Sequence, residues 1–119
     1  MMYQYRARVA RVWDGDSVHF KVFSETDHGF NVRSCTEIDV KTRLLGVDTP
    51  ELGQVGGIES RDYVRSLLPE GSEVTIQTFK YPGDKYGRWL AKVDVSNIGD
   101  LASAIIASGH GVPYYGTTR

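Results

Sequence analysis

From Tyr3 to Val9 the chain alternates, with Tyr3, Tyr5, Ala7 and Val9 on one side and Gln4, Arg6 and Arg8 on the other, the pattern of a strand with one buried face. Asp14-Gly15-Asp16 interrupts the run, and Val18, Phe20 and Val22 then alternate with Ser17, His19 and Lys21. The two stretches predict a hairpin. The polar segment 24–36 reads as an extended loop. After it Ile38, Val40, Thr42 and Leu44 alternate with Glu37, Asp39, Lys41 and Arg43 as a third strand, terminated by Pro50. Gly53, Gly56 and Gly57 then predict a mobile surface loop, because glycines hold a regular element only at an entropic cost.

The period changes beyond this loop. Tyr63, Val64, Leu67 and Leu68 fall on one face of a helix that Pro69 and Gly71 close. Val74 and Ile76 predict a fourth strand, and Trp89, Ala91, Val93 and Val95 a fifth, after a turn from Gly83 to Gly87. A short second helix follows, with Asp100 as N-cap, Leu101, Ala104 and Ile105 inward, and Gly109 as the left-handed residue past its end. Three strands, a helix, two strands and a helix predict an α+β, mainly β fold: a five-stranded Greek-key barrel of the OB type with two packed helices.

Composition narrows the class. At 119 residues, 40% hydrophobic and 24% charged, with no low-complexity tract or internal repeat, the chain reads as one ordered domain spanning residues 1–119. A net charge of -1 gives no overall pull toward nucleic acid, so polyanion binding has to come from local clusters of Arg and Lys. The lone Cys35 cannot form an internal disulfide and reads as an ordinary thiol. No signal peptide or membrane span is visible, so the expectation is a monomeric cytoplasmic protein, or a secreted one if a leader was removed.

Three segments carry candidate chemistry, and each has a plainer reading. Asp14-Gly15-Asp16-Ser17 offers oxygen ligands to a hard cation, or is simply a hairpin turn. An EF-hand is excluded, because Val18 and His19 stand where that loop needs a ligand and its glycine. Arg43 to Glu51 places a cation, two carboxylates and a rigidifying Pro50 at a strand end, or forms a surface ion pair. Asp84-Lys85-Tyr86-Gly87-Arg88 is a charged hairpin turn, or a phosphate-recognition element with a guanidinium, an ammonium and a phenol. Together they supply what phosphodiester hydrolysis requires: a cation site, a carboxylate to activate water, and positive charge for the transition state.

With these motifs in this order, the chain resembles the staphylococcal-nuclease-type thermonucleases over most of its length. The resemblance implies the same OB-type barrel. It implies calcium held by Asp16, Asp48 and the main-chain carbonyl of Thr49, with Glu51 as general base and Arg43 and Arg88 on the scissile phosphate. Lys85 and Tyr86 match residues on a terminal phosphate, and Tyr115, with Tyr114 beside it, matches an aromatic next to the base. The implied activity is calcium-dependent cleavage of single-stranded DNA and RNA to 3′-phosphate and 5′-hydroxyl ends. Ser17 stands where the family usually has Thr, the segment 24–36 is longer than in its simplest members, and His110 reads as exposed polar filler. The competing expectation is a non-catalytic nucleic-acid-binding or protein-interaction module, since barrels of this kind are reused for binding.

Overall fold

The computed structural model describes residues 3–81, 84 and 87–114, with Tyr3 and Gln4 described by their backbone. Its elements run β1 (Tyr3–Asp14), β2 (Ser17–Asp27), β3 (Arg33–Leu44), β4 (Gly46–Asp48), α1 (Gly57–Leu67), β5 (Glu73–Phe79), β6 (Trp89–Val95), β7 (Gly99–Asp100), α2 (Leu101–Ala107) and β8 (Val112–Tyr114). The sheet order is β3-β2-β1-β5-β6-β7, and β3 also pairs with β6 in parallel, Thr42 opposite Trp89 through Leu44 opposite Ala91. That pairing closes β1, β2, β3, β6 and β5 into a ring, the expected OB-type barrel. β7 extends one edge, and β8 pairs separately with β4. None of the described helices is long and apolar enough to cross a membrane.

Alternation along the strands fills the ring. Ala7, Val9, Val12, Val18, Phe20, Leu44, Ile76, Ala91 and Val93 are all buried in one core. α1 covers β1 with Val64 and Leu68, and Arg65 ties the two together by donating from Nε and Nη2 to the Val12 carbonyl at 3.3 and 3.1 Å. α2 packs on β4 and β6 through Leu101 and Ile105. Asp100 caps it as expected, its carboxylate accepting the Ser103 N–H, and Gly109 takes the left-handed φ of 83°. The inner face is rotated slightly from the expected one: Ala102 is buried and Ala104 is not fully so. His110 is not exposed filler. Its ring stacks on Tyr63, centroids 4.7 Å apart, and its carbonyl accepts the Ser60 hydroxyl at 2.6 Å, joining α1 to the segment after α2.

Two further expectations are corrected. The segment 24–36 is no loop: β2 and β3 stay in antiparallel register through Asp27 opposite Arg33, forming a hairpin arm. At its tip the Val32 N–H donates to the Gly29 carbonyl across Phe30 and Asn31, which both have positive φ, as the tight primed hairpin turns require. The arm contributes to a long axis of 56 Å against 30 and 23 Å. The third strand ends at Leu44 rather than at Pro50, because Gly46 takes a φ of 88° and the chain restarts as the short β4. The glycine-rich stretch after Pro50 is an exposed surface loop, as expected, built of turns with Gln54 N–H on the Glu51 carbonyl and Gly57 N–H on the Gln54 carbonyl.

One close approach sets the relation between the β1–β2 turn and the segment after β4. A Cβ on Gly15 would lie 2.6 to 2.9 Å from the side-chain atoms of Thr49, so only glycine lets the two segments touch. Gly15→Ala is expected to lower unfolding stability by about 1–3 kcal/mol through overpacking. Gly53→Ala, where an added Cβ meets nothing within 4 Å, should stay within about 0.5 kcal/mol of the wild type. Urea denaturation of both variants checks this.

Candidate active site

The Gly15–Thr49 approach carries Asp16 under the exit of β4. Asp16 is buried, and its Oδ2 accepts the Thr49 N–H at 3.3 Å. Asp14 lies on the other side, its Oδ1 accepting the Asp16 N–H at 3.2 Å. Burial, reinforced by the hydrogen bond and charge of Asp14, pushes the Asp16 carboxyl up to about 7, against the opposing pull of Arg43 and of the Thr49 N–H. An acid in such a place is poorly solvated when ionised and favours whatever brings it positive charge.

Arg43 is the nearest such charge. Its place in β3 opposite Ser17 of β2 aims the guanidinium at the β1–β2 turn. Nη2 lies 3.6 Å from Asp16 Oδ2 and 3.4 Å from Asp48 Oδ1, so one nitrogen is shared between two carboxylates. Nη1 donates to the Leu44 carbonyl at 3.4 Å, and Cζ sits 4.5 Å from the centre of the Tyr114 ring. Asp48 keeps half of its side chain in solvent, whereas that of Asp16 is 12% exposed.

Arg88 enters from just ahead of β6 and is fixed more firmly. Asp84 grips it from both carboxylate oxygens, Nε to Oδ2 at 3.2 Å and Nη2 to Oδ1 at 3.0 Å, and also accepts the Arg88 N–H at 2.7 Å. The remaining Nη1 donates to Ser17 Oγ at 2.9 Å, beside Asp16. Burial alone would lower the Arg88 pKa, but the hydrogen bond and charge of Asp84, with Tyr81 and Asp16 adding smaller contributions, turn the net shift upward. The group stays a cation at any pH where the fold survives.

Asp16, Arg43, Asp48, Thr49, Glu51 and Arg88 all line one open cavity of about 660 Å³. Three segments distant in sequence therefore converge, as the motifs require. Glu51 is exposed, its main-chain N–H is held by Gln54 Oε1 at 2.9 Å, and among the described residues its carboxylate makes no ion pair. Tyr114 is not among the lining residues, and its ring lies against the Arg43 guanidinium. Lys85, Tyr86 and Tyr115 lie outside the described residues.

Sequence reasoning gave no role to Asp84, Trp13, His19 or Lys41. Asp84 is the clearest omission: its side chain is 5% exposed, and the signal was its spacing of four from Arg88. The last three line the cavity wall with Asp14.

Comparison with known proteins places the chain in a family. Residues 41–118 match the family model described as "Staphylococcal nuclease homologue". Among curated proteins the chain is 25% identical to "Endonuclease YhcR" of Bacillus subtilis (strain 168), an alignment covering 94% of this chain and 9% of that one. It is 24% identical to "Probable staphylococcal-like nuclease CAN3" of Oryza sativa subsp. japonica, covering 88% of this chain and 28% of the plant protein. The chain thus spans less than a third of the length of either relative. The matched region holds Arg43, Asp48, Glu51 and Arg88, and with a ring-closed barrel presenting them to one cavity, the chain belongs to the staphylococcal nuclease homologue family.

Proposed function

We propose that the chain is a calcium-dependent nuclease that hydrolyses single-stranded DNA or RNA to 3′-phosphate products, acting as a monomer. The observation that carries the reading is the convergence of two guanidiniums, two carboxylates on a shared nitrogen and an uncommitted Glu51 carboxylate on one cavity. A phosphodiester placed there meets Arg43 and Arg88 on its non-bridging oxygens, where negative charge grows as the attacking oxygen joins phosphorus. Glu51 takes a proton from the attacking water. The P–O5′ bond breaks in line, leaving the phosphate on the 3′ side and a 5′ hydroxyl once solvent protonates the leaving oxygen.

The residues present fit a hard divalent cation. Asp16 and Asp48 supply carboxylate oxygens near one point, Asp16 is short of positive charge, and the buried Thr49 Oγ1 has no hydrogen-bond partner among the described residues. Among the described residues no group of three or more His, Cys, Asp or Glu side chains is gathered there, so water and main-chain oxygens would complete the shell, which calcium tolerates. Bound there, the cation would supply charge to polarise the phosphoryl group.

Incubation with single-stranded DNA and RNA is expected to give calcium-dependent cleavage with 3′-phosphate ends, abolished by chelator. Binding without cleavage in calcium would replace this reading with that of a binding module. Arg88→Ala is expected to lower kcat by roughly 10²- to 10³-fold while the circular-dichroism melt stays close to that of the wild type.

Asp16 adds a pH signature. Its folded pKa, about 7, exceeds the ordinary value of 3.8. Its contribution in the metal-free protein is therefore full below pH 3.8 and is lost as pH rises through about 7. In chelator at pH 8, Asp16→Asn is expected to melt roughly 5 °C above the wild type, with the gap closing toward pH 4. Calcium at pH 8 should raise the wild-type melt and leave that of the variant in place. An equal calcium-induced rise in the variant would remove Asp16 from the cation site.

A further inference from the structure

The outer face of the barrel that starts at the cavity rim carries cations and aromatic rings in a regular order. Register places Arg11 of β1 opposite His19 of β2, and His19 opposite Lys41 of β3. Two residues along the same strands lie Ser17 and Arg43, the row that contacts Arg88 and Asp16, about 7 Å away by strand geometry. That is the order of one nucleotide of an extended strand.

Trp13 stands at the junction, 43% exposed, and Trp13, His19 and Lys41 all line the cavity wall. The indole is pinned from two sides. Its Nε1–H donates to His19 Nδ1 at 3.2 Å with the rings edge to face, and the Arg11 guanidinium carbon lies 3.9 Å from its ring centre. A large aromatic held in place while exposed loses little rotamer freedom on binding. Because Nδ1 accepts from Trp13, neutral His19 carries its proton on Nε2 as a donor. Burial, then Lys41 and Arg11, lower the His19 pKa against the opposing charge of Asp39, which favours the neutral imidazole and leaves the positive field to the two permanent cations. Neither Arg11 nor Lys41 has a carboxylate in ion-pair range among the described residues.

We propose that Arg11, Trp13, His19 and Lys41 form a subsite for the nucleotide flanking the scissile phosphate of a single-stranded nucleic acid. The base stacks on the Trp13–Arg11 pair, and the adjoining phosphate meets Lys41 and the His19 donor. The surface suits this ligand by charge and by continuity with the cavity: stacking on indole and guanidinium planes accepts any base, and the cations track the backbone. The identity of the ligand rests on the nuclease reading above.

The test uses the whole chain in excess chelator, with binding of a fluorescein-labelled oligothymidylate of about ten nucleotides followed by anisotropy across a salt series. Trp13→Ala is expected to weaken binding roughly ten-fold or more, with Trp13→Phe restoring most of it. Lys41→Gln is expected to reduce the slope of log affinity against log salt by about 0.7. With calcium restored, both losses should fall on KM rather than kcat. Wild-type affinity and salt slope in both variants, with the wild type still binding and cleaving, would overturn the subsite and leave the nuclease reading standing. A wild type that neither binds nor cleaves would overturn the nuclease reading and the subsite with it. Lys41 is an exposed surface side chain, so its variant decides the matter even if Trp13→Ala fails to fold.

Discussion

The short parallel pairing of β3 with β6 holds the rest of this structure in place. Without it the strands would form an open ribbon, with Arg43 near one edge and Arg88 ahead of a strand at the far side. Closure puts Thr42 opposite Trp89 and Arg43 opposite Leu90, so the residue before Trp89 meets the end of β3 across the rim. The same closure buries Phe20, Leu44 and Ile76 in one core, so the apolar interior and the placement of the guanidiniums are won by one event. A substitution that opened the ring would remove both together, and activity would be lost in step with the fold.

Electrostatics around the cavity sit against that rigid frame. Asp14 and Asp16 crowd like charges at a tight turn, and burial makes the ionised form of Asp16 costly. The turn is held there by the Thr49 N–H and by the fit of Gly15 against the Thr49 side chain. Metal-free, the fold thus carries a local strain of charge that a cation would relieve, which couples any cation binding at this point to stability.

The alternating strands, the capped second helix and the barrel class were legible because burial on one face writes a period of two into the sequence, and Phe20 or Val93 could occupy no other face. The arm from Ser24 to Thr36 was not legible. It is solvated on both sides, so nothing forces alternation on it, and its turn sets Phe30-Asn31 in positive φ where Asn-Gly would have announced a hairpin. β7 and β8, two and three residues long, are too short for any period to register. The candidate site was read from its motifs, yet the partner of Arg88 was missed. Asp84 sits in a charged turn that looks exposed, and only the fold shows its carboxylate enclosed against the guanidinium.

The two arginines are held in different ways, and that difference divides their work. Arg88 is locked by Asp84, which does not line the cavity, through two side-chain bonds of 3.0 and 3.2 Å. Its orientation is therefore set whether or not the cavity is filled, as a preorganised charge should be. Arg43 meets the cavity's own carboxylates at 3.4 and 3.6 Å and the Leu44 carbonyl at 3.4 Å, all longer than a good charge-assisted bond. A guanidinium balanced between two distant acceptors turns toward a phosphate oxygen at small cost, whereas Arg88 would have to give up a bidentate pair to move. In the nuclease proposed above, Arg88 would be the fixed reference against which a phosphate is positioned, and Arg43 the group that adjusts to it.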